Sequence, residues 1–284
     1  MKLAYRLLNV FTVAGDRLSG NPLCVFEDGR GLETERMQAL ARQFNLSETT
    51  FVLPPEQASA TARVRIFTPD FEMPFAGHPT LGTAQVVRAL TGAGDRVALE
   101  MKAGLVEVRA EANRWTLRAA RAPTTRAPGA SPDALAAMVG LPPGSVSHPL
   151  WVNTGVEQLV LPLRTVDDVR AARPDPERLS RDGRSPDGGE TMAYVFAEVG
   201  PGKVEARFFF MAGGGVQEDP ATGSACANLG GYLLATGAPL PVRRMVAQGE
   251  RVGRPSRLLL EVDASGRVFV TGEVVELGGG TIRI

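Results

Sequence analysis

The sequence predicts an α+β fold made of two similar halves, each a curved sheet wrapped around one buried helix. Three observations carry this. "HPTLGTA" (78–84) and "DPATGSA" (219–225) share a pattern: titratable residue, Pro, x, x, Gly, Thr or Ser, Ala. They lie 141 residues apart in a chain of 284, and the order of strand-like and helix-like segments repeats with them. The helix-like segment behind each motif carries no charge before Arg88 in the first copy and none at all in the second. A helix without a polar face is buried on all sides.

The elements follow in order. In the first half, strands are predicted at 2–12 and 22–27, a helix at 33–45, and strands at 49–53 and 60–68. A helix at 79–91 and three strands to about 119 complete it. "ARVRIF" alternates as a half-buried strand does, and Met37, Leu40, Ala41 and Phe44 share one helical face. "ARAPTTRAPGASPD" (120–133) is rich in Pro, Thr and Ala and reads as a linker, after which Ser131 caps a short helix that opens with Pro132. The second half repeats the order: strands at 147–153 and 157–163, a helix at 166–181, strands at 191–198 and 203–210, a helix at 221–236, then strands to the end. At the 141-residue offset Phe67 falls on Phe208. The domains predicted are 1–119, with a returning strand at 278–284, and 131–277, joined by a linker at 120–130.

Composition bounds the function. With 44% hydrophobic and 22% charged residues and zero formal net charge, the chain is ordinary globular protein with no field to attract nucleic acid. No stretch of about 20 strongly apolar residues predicts a membrane span, since the uncharged run 220–242 holds Asn228, several Gly and three Pro. Two cysteines, Cys24 and Cys226, cannot build a disulfide framework and suit a reducing compartment, and the amino-terminal segment reads as a first strand, so a cytoplasmic location is the expectation. The glycine run "GGGVQEDPATGS" lacks the Gly-Lys-Ser/Thr ending of a phosphate loop. "TGSAC" is no nucleophile elbow, and two histidines 70 residues apart give no metal signature.

The chemistry is expected at the helix starts. Pro79 and Pro220 suit a first helical position, which places His78 and Asp219 beside the two helix N-termini. Free N–H groups and the helix dipole make such an end a ready site for an anion, and two such ends facing one cleft would hold a substrate carboxylate. Singly, Asp219 reads as an N-cap worth about 1 kcal/mol, and His78 as a core histidine. The matched pair points towards function. Near a helix N-terminus the imidazolium is disfavoured, so a neutral ring is expected at His78.

"GNPLCVF" (20–26), "SETTFV" (47–52), "FAGHPTLGTA" (75–84), "VNTGVEQLVL" (152–161) and "EDPATGSA" (218–225) together resemble the PhzF-like phenazine biosynthesis isomerases, in order over nearly the whole chain. The resemblance implies a diaminopimelate epimerase-like fold: two pseudo-symmetric domains, each a curved, mostly antiparallel sheet or barrel around a central helix. It implies isomerisation of a small carboxylate-bearing molecule, such as trans-2,3-dihydro-3-hydroxyanthranilate, by proton movement without a cofactor or metal, in a homodimer. By the same resemblance Glu48, His78 and Asp219 are catalytic. Ser224 binds substrate, and Gly77 and Gly223 offer backbone N–H groups to substrate oxygens. Glu48 would carry a proton between carbons, which asks for a pKa drawn up from about 4.3 towards neutrality. Without the resemblance Glu48 reads as a solvated residue after a helix. Two alternatives stay open: a small-carboxylate-binding protein without chemistry, and an amino-acid racemase or epimerase that uses cysteines.

Overall fold

In the computed structural model, which describes residues 1–186, 188–189 and 191–284, the run "KLAYRLLNV" forms β1 (Lys2–Val10), antiparallel to β2 (Asn21–Phe26). Helix α1 (Thr34–Phe44) buries Met37, Leu40 and Ala41, as its spacing requires, and ends at Asn45 in the left-handed conformation (φ 50°). It is the crossover that lets β3 (Glu48–Leu53) run parallel to β2. β4 (Ala62–Phe67) pairs antiparallel with β3 and with the two-residue β5 (Glu72–Met73). Helix α2 (Gly77–Thr91) is a second crossover, to β6 (Arg96–Met101) parallel to β4. β7 (Gly104–Glu111) and β8 (Arg114–Arg118) follow as antiparallel neighbours.

The last strand of the chain, Val268–Arg283 (β17 below), pairs with β1 and also with β8. The strands β1-β2-β3-β4-β6-β7-β8-β17 therefore close into a ring. α2 packs against β1, β2, β3, β6 and β8 and is buried from Gly77 to Ala84. Close approach explains Gly82: a Cβ there would stand 2.5 Å from Leu23 Cδ2 and 3.1 Å from Val10 Cγ2.

The next residues repeat this topology after β9 (Thr124–Arg126) and α3 (Pro132–Met138), the latter capped by Ser131, whose Oγ accepts from Ala134 N at 3.2 Å. β10 (Leu150–Asn153) pairs antiparallel with β9 and with β11 (Glu157–Pro162). Helices α4 (Val166–Ala171) and α5 (Pro176–Asp182) lead to β12 (Met192–Gly200), parallel to β11. β13 (Lys203–Ala212) forms a hairpin with β14 (Gly215–Asp219), and α6 (Gly223–Ala235) crosses to β15 (Val242–Gln248), parallel to β13. β16 (Ser256–Val262) pairs antiparallel with β15, and β17 ends the chain. In both copies the pairings run antiparallel, parallel, antiparallel, parallel, antiparallel. The chain divides into two compact units, Met1–Arg118 with Thr271–Ile284, and Ala119–Val270.

Several local expectations are corrected. The helix expected over 166–181 is two helices, because Pro174 keeps Arg173 out of the helical region and Asp175 opens a new helix by accepting from Arg178 N at 2.9 Å. Part of the 120–130 stretch, Thr124–Arg126, is strand. The glycine run 213–215 holds a hairpin turn: Ala212 faces Gly215, and Gly213 and Gly214 both take positive φ (58° and 78°), as a two-residue hairpin turn demands. Neither proline opens its helix. α2 begins at Gly77, making Pro79 its third residue, and α6 begins at Gly223 after an N-cap at Thr222, so Pro220 lies outside the helix altogether.

The repeat itself shifts register. Phe67 pairs with Thr49 and packs in the cluster under α1, with Met37 and Leu40. Its counterpart on the face towards α4 and α5 is Phe209, which pairs with Ala193 and packs with Val169 and Leu179. Phe208 points to the other face, beside the Tyr194 ring. A one-residue slip moves a side chain to the opposite face of a sheet, so the 141-residue offset does not hold there. Matching the starts of α2 and α6 sets Gly77 with Gly223 and His78 with Ser224. Matching the faces of β3 and β12 sets Glu48 with Met192.

Candidate active site

The first unit brings Glu48 and His78 together. Glu48 is the first residue of β3, on the same face as Thr50, whose Oγ1 lies 2.8 Å from Thr83 Oγ1 of α2. His78 is the second residue of α2. Its Nε2 lies 3.2 Å from Glu48 Oε2, and both side chains are largely buried (5% and 15% exposed). The Pro22 carbonyl accepts a hydrogen bond from the ring, and since Nε2 has no such partner, Nδ1 is the donor. Burial pushes the His78 pKa down to about 3, against the smaller opposing effect of the Pro22 bond. Burial, rather than the helix dipole, is what favours the neutral ring expected from the sequence. The 3.2 Å contact has the length of an ion pair, which would need a charged ring. The buried setting argues against that charge, so the contact is that of a neutral acceptor facing a carboxyl group. Gly77, buried, opens α2, and no side chain caps the helix.

The second unit holds Asp219, Gly223 and Ser224 around the start of α6. Asp219 ends β14 opposite Phe208 and does not serve as the N-cap, as its sequence position allowed. That place belongs to Thr222, whose hydroxyl donates to Asp219 Oδ2 at 2.5 Å. Gln248, fully buried, donates from Nε2 to the Asp219 carbonyl (2.9 Å) and to Thr222 Oγ1 (3.0 Å). With Thr222 Oγ1 accepting from Gln248, its own proton is left for Asp219. The neighbouring acid, Glu218, instead forms a two-pronged pair with Arg207 (3.0 and 2.7 Å), both about nine-tenths buried. The two carboxylates of "EDPATGSA" thus face opposite partners, Glu218 the scaffold and Asp219 the helix start. Ser224, half-buried, accepts from Gln158 Nε2 at 3.0 Å. As in α2, no side chain caps α6, so neither helix start has its N–H groups taken by a cap.

Sequence reasoning missed Gln158, Thr222 and Gln248. Gln158 and Thr222 lie inside two of the motifs quoted above, but nothing in the spacing marks a side chain that works through its neighbour. Both cysteines are buried, and burial pushes both thiols up. Among the described residues no group of three or more His, Cys, Asp and Glu is placed to hold a metal ion, and no helix is long and apolar enough to cross a membrane.

The chain matches a family model described as "Phenazine biosynthesis-like protein" over residues 8–280. It is 36% identical to an uncharacterized isomerase of Pasteurella multocida, over 99% of this chain and 94% of that one. It is also 36% identical to the trans-2,3-dihydro-3-hydroxyanthranilate isomerase of Pseudomonas aeruginosa, over 95% of each. The crystal structure of a PhzF-family phenazine biosynthesis protein from Bacillus anthracis superposes with a TM-score of 0.84 over the full length of both chains, at 23% identity, which speaks for the fold.

Proposed function

Because the chain belongs to the phenazine biosynthesis-like family and is an isomerase, we propose that it moves a proton on a small carboxylate-bearing substrate of the dihydrohydroxyanthranilate kind, with Glu48 as the carrier. The observation that carries this is the Glu48–His78 contact. As a carboxylate, Glu48 takes a proton from a substrate carbon. The O–H it gains lies 3.2 Å from His78 Nε2, a lone pair held outward because the ring proton is committed to Pro22. The carboxyl keeps the proton in that hydrogen bond and returns it to a second carbon, so atoms and charge balance with no co-reactant. Met192 is the apolar counterpart of Glu48 in the second unit, which supports a single carrier over two opposed bases.

Asp219, steadied by Thr222, is the group for a polar or cationic substituent. The backbone N–H groups at Gly77 and Gly223 and the Ser224 hydroxyl suit substrate oxygens. A positioned acid–base group supplies about 10²–10⁴-fold, and fixed dipoles at the developing charge supply more. The reading includes a cytoplasmic homodimer that needs no cofactor, supported by the family resemblance of the motifs. The test is conversion of trans-2,3-dihydro-3-hydroxyanthranilate and a panel of amino and hydroxy carboxylic acids, followed by NMR. Wild type should convert at least one, and Glu48→Gln should lose about 10²-fold or more. Equal activity in the variant would refute the assignment.

A further inference from the structure

A run of buried polar side chains in the second unit has a direction that can be read from its fixed end. The backbone N–H of Thr154 can only donate, and it donates to Asn228 Oδ1 at 2.9 Å, as does Thr154 Oγ1 at 2.7 Å. The backbone carbonyl of Val156 can only accept, and it accepts from Asn228 Nδ2 at 2.9 Å. The Asn228 amide therefore has one possible orientation. Its second Nδ2 hydrogen goes to Gln158 Oε1 at 2.8 Å, which in turn fixes the Gln158 amide with Nε2 towards Ser224 Oγ at 3.0 Å. Thr154, Gln158 and Asn228 are all at least nine-tenths buried (4%, 1% and 0% exposed), so water does not compete for these bonds. One lone pair of Ser224 Oγ is taken from behind by the Gln158 donor, and its own proton is turned away from Gln158.

We propose that Thr154, Asn228 and Gln158 form a one-way hydrogen-bond chain that turns the Ser224 proton away from the scaffold, so that Ser224 donates to the ligand and the group it meets is an acceptor oxygen, a carboxylate or carbonyl. Gln158 and Asn228 are positioning residues, acting through Ser224. The arrangement complements the first unit. There the residue at the same helical position, His78, has its proton drawn back by the Pro22 carbonyl and presents an acceptor. Each unit thus fixes the polarity of the second residue of its central helix from its own backbone, and the two polarities are opposite. Leu23, which packs against α2, stands where Gln158 stands in the second unit, one residue before Cys24 and Leu159 on equivalent faces.

The proposal rests on Ser224 being a substrate-binding residue, and two experiments keep the two ideas apart. Neutron diffraction from deuterated crystals locates the hydroxyl deuteron without any ligand. The chain predicts deuterons on Gln158 Nε2 pointing at Ser224 Oγ, and the Ser224 deuteron pointing elsewhere. A Ser224 deuteron aimed at Gln158 overturns the proposal whatever the enzyme does. The second experiment measures kcat/KM for trans-2,3-dihydro-3-hydroxyanthranilate. Gln158→Glu replaces the donor by an acceptor and turns the Ser224 proton inward, so it should lose about 10- to 100-fold, the range for one hydrogen bond to a charged group. Ser224→Ala should lose as much, and the double variant should lose no more than Ser224→Ala alone. Gln158→Met, which removes the donor without burying a charge, keeps the test open if Gln158→Glu does not fold. It should lose less than Gln158→Glu when Ser224 is present, and nothing further when combined with Ser224→Ala, where no hydroxyl remains. Additive losses in the double variant overturn the chain while leaving Ser224 in the site. No loss in Ser224→Ala overturns the site assignment, and the inference with it.

Discussion

His78 carries a linkage that can be measured without a substrate. Its folded-state pKa, about 3, lies below the ordinary 6.5. The unfolded chain therefore binds a proton at His78 in a pH range where the folded chain does not. The sign follows: stability at this site is fully present above about pH 6.5, falls as the pH drops below it, and stops falling near 3. From those two values the loss between neutrality and about pH 5 is about 2 kcal/mol. The window is shared with Glu48, 3.2 Å away, whose pKa, if drawn up towards neutrality, would act with the opposite sign, so the same comparison is repeated in a Glu48→Gln background. The carboxylates held low in the folded state, Asp28, Glu72, Glu100 and Asp263, start from ordinary values of 3.8 to 4.5, so their losses come mostly below the window. The assay is urea unfolding of wild type and His78→Gln at several pH values between 7 and 5, with m-values checked for constancy. Wild type should lose about 2 kcal/mol across that range and the variant much less. Parallel slopes would refute the buried, neutral imidazole.

Three further outcomes follow from named contacts. Arg207→Met should destabilise by about 3–5 kcal/mol in urea unfolding, because it leaves Glu218 buried without its partner and frees the Val169 and Ala172 carbonyls that Arg207 Nη1 now bonds (3.1 and 2.8 Å). Thr222→Val should lower kcat/KM about 10-fold or more and cost about 1–3 kcal/mol of stability, because the buried Gln248 Nε2 loses an acceptor, while Thr222→Ser retains both, since the hydroxyl alone bonds Asp219 and Gln248. Cys24 and Cys226 should resist alkylation in the native state and turnover should survive it, because both thiols are buried and held protonated. Loss of turnover on alkylation would restore a cysteine-dependent racemase.

Much of the fold was legible because its strongest signals are physical. Uncharged segments such as "PATGSACANLGGYLLATG" have nowhere to go but a core, and "ARVRIF" alternates because one face is covered. Register was less legible. Pro-x-x-Gly in both halves aligns the motifs at 141 residues, yet Phe209, the counterpart of Phe67, already lies one residue further on, and β13–β14 separates Phe209 from Glu218 by nine positions where β4–β5 separates Phe67 from Glu72 by five. The true partner of His78 is therefore Ser224, five residues further on than the motif suggests. Of the candidate site, His78 and Asp219 stand out by their place before prolines. Glu48 is an ordinary acid after a helix in local sequence and is reached by resemblance alone. Gln158, Asn228 and Gln248 act through hydrogen bonds with partners up to 74 residues away, which no local pattern encodes.

The most direct test of Glu48 as proton carrier is isotope transfer in heavy water. Wild type and Glu48→Gln are incubated with trans-2,3-dihydro-3-hydroxyanthranilate, and product and recovered substrate are read by mass spectrometry and NMR. The account predicts product in wild type, with deuterium at the carbon that receives the proton to the extent that Glu48 exchanges with solvent, and neither product nor label in the variant. Product formed by Glu48→Gln at the wild-type rate would contradict it.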